Sequence, residues 1–138
     1  MRIAVDFDGT IVEHRYPEIG KEIPFAVATL KQLIREGHLL ILWSVREGEL
    51  LDEAVEWCRA KGIEFYAVNS DYPDEDETLL KKISRKLKVD LFIDDRNVGG
   101  LPDWGVIYEM INSNKTYEQV LREMINAPKP EKKPWWKF

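Results

Sequence analysis

Two short apolar runs in this chain each end in paired acids. Ile3, Ala4 and Val5 lead into Asp6, Phe7, Asp8, Gly9 and Thr10, and a later run closing at Ile93 leads into Asp94 and Asp95. A carboxylate repels its twin and is costly to take out of water, so acids at the ends of buried strands call for a cation or a reacting phosphate beside them. Carboxylate oxygens are the donors that a hard divalent ion such as Mg²⁺ prefers. Phosphoryl transfer asks for a similar construction, an in-line nucleophile with the equatorial oxygens neutralised, and Asp6 fits the nucleophile. Asp and Gly also favour turns, which is the plainer reading of Asp8 and Gly9 taken alone.

Positioning these acids requires strands that deliver them to one edge. Arg2 to Phe7 reads as a buried first strand. Pro24 to Glu36 reads as a helix, with Pro near its first turn, apolar residues at Phe25, Ala28, Leu30, Leu33 and Ile34, and Gly37 as the stop. His38 to Trp43 is a second strand, Glu47 to Lys61 a helix with Leu50, Leu51, Ala54, Val55 and Cys58 on one face, and Ile63 to Val68 a third strand. After an acidic loop, Ser70 to Thr78, come a short helix candidate, Leu79 to Arg85, and a fourth strand, Val89 to Ile93, almost wholly apolar as parallel sheets require. Trp104, Ile107, Tyr108 and Ile111 repeat at helical spacing, and Thr116 with Gln119 matches a capping box opening a last helix to about Asn126. Alternating strands and helices give an α/β, doubly wound sheet whose ligands bind beyond the carboxyl ends of the strands. The acids lie at those ends, so residues far apart in sequence should converge on one crevice.

The D-x-D-G-T pentapeptide after a strand resembles motif I of the haloacid dehalogenase (HAD) superfamily, whose members are mostly magnesium-dependent phosphohydrolases. The resemblance implies that Asp6 forms an aspartyl-phosphate, that Asp8 serves as general acid and then base while offering its carbonyl to the metal, and that Thr10 shapes the loop that receives substrate. Leu39 to Ser44 is similar to motif II, which implies that the Ser44 hydroxyl meets the phosphoryl group; alone, Ser44 reads more often as a strand-ending helix cap. Ser44, Val45, Arg46 resembles an [ST]-x-R element in which the arginine contacts substrate, as a planar guanidinium suits phosphate oxygens. Motif III is a lysine ahead of the second acidic pair, assigned to Lys86 with Lys82 in reserve. Phe92 to Arg96 resembles motif IV, with Asp95 the direct Mg²⁺ ligand and Asp94 its support, roles that can be exchanged. The resemblance runs over about residues 1–110 and leaves room only for a flap carrying His14, Arg15 and Tyr16. It therefore implies an HAD-like Rossmannoid three-layer fold without a cap domain and a Mg²⁺-dependent phosphomonoester hydrolase. The alternatives are a phosphoryl-binding or regulatory module and a nucleic-acid-end phosphatase.

At 138 residues, one domain is expected over residues 1–127, followed by a Pro-, Lys- and aromatic-rich tail from Pro128 to Phe138. A composition 44% hydrophobic and 33% charged is that of an ordinary globular protein, and no apolar run is long enough to span a bilayer, so a cytoplasmic setting without membrane partners is expected. Twenty basic against 25 acidic residues, net charge −5, argue against capture of nucleic-acid backbone. Cys58, the single cysteine, has no disulfide partner in the chain and no histidine nearby to activate it. Trp135, Trp136 and Phe138 either fray with the terminus or dock on this subunit or a second copy, which makes a homodimer an expectation alongside the phosphorylated substrate.

Overall fold

In a computed structural model the residues described are 1–73 and 86–126. Four short apolar segments form one parallel sheet: β1 (Arg2–Val5), β2 (Leu39–Leu42), β3 (Ala67–Val68) and β4 (Leu91–Ile93). Their order across the sheet is β3-β2-β1-β4, with Val5 beside Leu42 on one side and beside Ile93 on the other. The chain therefore winds outward from β1 through β2 to β3 and then returns to the far side of β1 for β4. This reversal opens a crevice at the carboxyl ends of β1 and β4.

Side chains alternate across the sheet, and each face has its own apolar cluster. Ile3, Val5, Leu40, Leu42 and Ile93 pack against three helices, α1 (Ala26–Arg35), α2 (Gly48–Ala60) and α3 (Trp104–Ser113), through Leu30, Leu33, Ala54, Cys58, Trp104 and Ile107. Ala4, Ile41 and Ala67 face the other way, with Leu87 and the half-buried Trp43, Tyr66, Val89 and Phe92. The last helix, α4 (Tyr117–Asn126), rests on α3 and buries only Val120. The result is an α/β fold on a small parallel sheet. A third layer and the short helix expected at Leu79 to Arg85 are not among the described residues, and neither is the tail.

Several element boundaries differ from those read in the sequence. α1 starts at Ala26 because Phe25 takes a left-handed conformation, φ 67°, and so cannot belong to the helix that Pro24 was expected to open. It stops where expected, at Gly37, whose φ of 90° suits only glycine well. β3 shrinks to two residues, since as an edge strand it has β2 alone to pair with; Ile63 still reaches the core. The capping box before α4 is present in both directions: the Thr116 N–H donates to Gln119 Oε1 at 2.8 Å and the Gln119 N–H to Thr116 Oγ1 at 3.2 Å.

Candidate active site

Beyond Val5 the sheet ladder runs one step further, the Asp6 N–H donating to the Ile93 carbonyl at 2.9 Å, and the chain then turns back on itself. The Phe7 carbonyl accepts from Thr10 and Ile11 at 3.2 and 2.9 Å, closing a tight loop over residues 7–11. Gly9 is required there on two grounds. Its φ is +83°, and a Cβ would lie 2.3 Å from Asp95 Oδ2. Only a residue without a side chain lets the first acidic loop close on the second acidic pair.

The consequence is a cluster of Asp6, Asp94 and Asp95 at the switch point, one carboxylate oxygen from each within 4.8 Å of the others, all three half-buried. Thr10 ties the two loops together. Its hydroxyl accepts from the Asp95 N–H at 3.1 Å and stands 3.4 Å from oxygens of both Asp6 and Asp95, while its carbonyl accepts from the Trp104 indole at 3.0 Å. Burial, then the Asp94 charge, push Asp6 up from 3.8 to about 7, helped by a hydrogen bond shared with Asp95. Three acids held so close fit a hard divalent cation with oxygen ligands: Asp6, Asp94 and Asp95 are the residues that would hold Mg²⁺.

A cleft of about 740 Å³ opens beside the cluster. Asp6, Asp8 and Asp94 line its floor, Ser44 and Asn69 come from the ends of β2 and β3, and His14 and Tyr16 come from a flap. The flap is a small hairpin, with Glu13 N–H donating to the Lys21 carbonyl at 2.7 Å and Ile23 N–H to the Ile11 carbonyl at 2.8 Å. The Ser44 N–H donates to Asn69 Oδ1 at 2.8 Å, and the Ser44 hydroxyl accepts from the Arg46 N–H at 3.1 Å. Ser44 is thus both a cap and a cleft residue. Asn69, in a left-handed conformation at φ 52°, went unsingled in the sequence. An Asn closing an apolar run is the one signal that marks it, because Asn tolerates that conformation.

Arg46 departs from expectation. It is neither a solvated residue nor a group reaching for substrate, because it is wholly buried and all five of its N–H donors are taken inside the protein. Nε and one Nη bond the two oxygens of Asp8, each at 2.7 Å, and the remaining donors meet the carbonyls of Pro17 (3.1 Å), Glu18 (2.9 Å) and Leu50 (3.5 Å). Its guanidinium also sits over the rings of Phe7 (5.3 Å) and Tyr16 (5.2 Å). Asp8 accordingly faces Arg46, and its carboxylate is outside the three-acid cluster. Thr10 is fully buried and does not line the cleft; its bonds to Asp6, Asp95 and Trp104 give it the loop-shaping part expected of it, at a remove from substrate.

Lys86 is exposed, its ammonium 5.8 Å from the centre of the Phe92 ring, and no lysine lines the cleft among the described residues. Lys82, the reserve, lies outside them. Two arginines line the cleft instead: Arg46, committed to Asp8, and Arg96, next to the acidic pair, whose N–H donates to Asp94 Oδ1 at 2.9 Å. Cys58 is buried at a distance from all of this, and burial pushes its thiol up to about 12, which suits a packing residue. None of the described helices is long and apolar enough to cross a membrane.

No family model matches the chain, and no curated protein does. A solved structure, that of a conserved protein coded by a locus of Bacteroides thetaiotaomicron, matches with a TM-score of 0.82 and 72% sequence identity, over 87% of this chain and 96% of the other. At that identity and coverage the chain belongs to the same protein family as the conserved Bacteroides thetaiotaomicron protein.

Proposed function

We propose that the protein is a Mg²⁺-dependent phosphomonoester hydrolase of the kind that its D-x-D-G-T and DD segments resemble in the HAD superfamily. The observation that carries this reading is the three-carboxylate cluster of Asp6, Asp94 and Asp95 at the point where the strand order reverses, with Asp6 and Asp94 lining a cleft. Mg²⁺ held by these acids would keep Asp6 ionised and neutralise the phosphoryl oxygens. In this reading an Asp6 oxygen attacks phosphorus, an O–P bond forms as the bond to the leaving oxygen breaks, and that oxygen takes up a proton to leave as the alcohol, a proton that the water of the second step returns. Water then attacks the aspartyl-phosphate, releasing inorganic phosphate and restoring the carboxylate. Ser44, whose hydroxyl accepts from the Arg46 N–H, keeps its own proton to donate to a phosphoryl oxygen.

A second reading, a module that binds a phosphoryl ligand and turns it over slowly, is favoured by one observation: Arg46 engages both oxygens of Asp8, the residue expected to shuttle the proton. One experiment separates the two. Hydrolysis of p-nitrophenyl phosphate is measured for the wild type with Mg²⁺, with EDTA, and for Asp6→Asn with Mg²⁺. Multiple turnovers that need both Mg²⁺ and Asp6 support the hydrolase. Phosphate-dependent thermal stabilisation without turnover supports the binding module, and activity in Asp6→Asn removes Asp6 as the nucleophile.

A further inference from the structure

The cleft is larger than a phosphoryl group alone requires. A volume of about 740 Å³ is in the range of pockets that enclose whole small molecules, so the walls away from Asp6 meet the part of a ligand beyond phosphorus. Two side chains on those walls are aromatic, and neither belongs to the buried core. Tyr16 comes from the flap and is 48% exposed, while Trp43 follows β2 and is half-buried at the margin of the second cluster. The Tyr16 ring is fixed on one side by the buried Arg46 guanidinium, 5.2 Å away, and still presents much of its surface to the cleft. Val45, 87% exposed, adds apolar wall beside Trp43.

Charge is provided at the acidic end of the same cleft. Among the described residues the guanidinium of Arg96 makes no hydrogen bond or ion pair, although its backbone is anchored to Asp94. A cation near the phosphoryl site and flat, exposed rings further out match a ligand with a phosphate at one end and a planar ring at the other. Ring stacking rewards planarity beyond the area that it buries, and stacking on aromatic side chains accepts any planar base because each has a π-face.

Resting on the phosphomonoesterase reading, we propose that Tyr16 and Trp43 are specificity-determining residues that select phosphomonoesters bearing a planar ring, with Arg96 meeting the phosphoryl charge. Matched substrates test this without changing the chemistry at phosphorus. Benzyl phosphate and cyclohexylmethyl phosphate both release a primary alcohol and differ in the planarity of the ring. A nucleoside 5′-monophosphate and ribose 5-phosphate differ in the base alone, which separates nucleobases from simple arenes. With Mg²⁺ and the wild type, kcat/KM should favour the planar member of at least one pair by about tenfold, mainly through KM. That ratio should fall toward one in Tyr16→Leu and Trp43→Leu, and Arg96→Gln should raise KM for every substrate alike. Equal efficiency within both pairs overturns the proposal and leaves the phosphomonoesterase standing. Hydrolysis of none of the four overturns the proposal, and the phosphomonoesterase reading falls with it only if p-nitrophenyl phosphate is not hydrolysed either. The wild-type ratios decide the matter even where a variant folds poorly.

Discussion

Replacing Asp6 by Asn should stabilise the protein, and the gain should depend on pH in a way that identifies its cause. Asp6 is held at about 7 against an ordinary 3.8, so the folded protein keeps a proton that the unfolded chain gives up. Between about pH 4 and pH 7 the unfolded state therefore binds fewer protons, and stability falls as pH rises. The loss is absent below pH 4 and complete above pH 7. At 1.36 kcal/mol per pH unit the gap corresponds to roughly 4 kcal/mol, and solvent screening of a half-buried carboxylate lowers that to about 1–2 kcal/mol. Asn has nearly the same shape, carries no charge and escapes the loss. Thermal unfolding of both proteins in EDTA at pH 4.5, 6 and 8 measures it. The variant should lead by roughly 5 °C at pH 8 and by progressively less toward pH 4.5. Added Mg²⁺ at pH 8 should narrow the lead, since a cation that binds the folded wild type stabilises it by mass action. A lead of constant size across the pH range would refute the reasoning, because the effect would then have nothing to do with the carboxylate charge.

Arg46→Met should cost about 3–5 kcal/mol in urea unfolding, because it leaves Asp8 buried without its partner and frees three carbonyls; a loss under 1 kcal/mol would mean that the pair is dispensable. Gly9→Ala should cost about 2 kcal/mol or more, from the positive φ and from the displacement of Asp95, and should weaken Mg²⁺ binding in the same sample; calorimetric titration reads the second effect. Asp95→Ala should weaken Mg²⁺ binding more than Asp94→Ala, since Asp95 shares a hydrogen bond with Asp6 whereas an Asp94 oxygen is already held by the Arg96 N–H. The opposite ranking would exchange the two roles.

What could be read from the sequence follows from how local each signal is. An apolar run closed by acids marks a strand end wherever it occurs, so Asp6, Asp8, Asp94 and Asp95 stood out before any fold was known. Their convergence rested on one further inference, that parallel strands share a carboxyl edge, and the order β3-β2-β1-β4 makes β1 and β4 neighbours. Arg46 was illegible because its partners, Asp8, Pro17 and Glu18, lie 28 to 38 residues away and nothing beside it in the chain announces them. A lysine has no such local mark either, so choosing Lys86 from a basic cluster relied on the family resemblance, and the structure puts its ammonium beside the Phe92 ring. Asn69 and the shortening of β3 both depend on which strand ends up at the edge of the sheet, a property of the assembled fold rather than of any segment.

The saturated arginine has a consequence for how the molecule comes apart. Arg46 joins the first acidic loop, the flap that follows it and the start of α2. Lifting the flap alone would strip two carbonyl partners from a guanidinium that is wholly buried while the flap is closed, a cost that the flap's own hairpin bonds do not offset. Local opening of that wall is therefore discouraged, and the flap is coupled to the body of the domain as one cooperative unit. In amide exchange its hairpin hydrogens should behave like those of the central strands, although the hairpin lies at the surface and would, from its length, be taken for a loop that breathes freely. The wall of the cleft that carries Tyr16 is in this sense part of the core's folding transition, joined to it through Arg46 as well as through Ile19 and Ile23, which pack on the core.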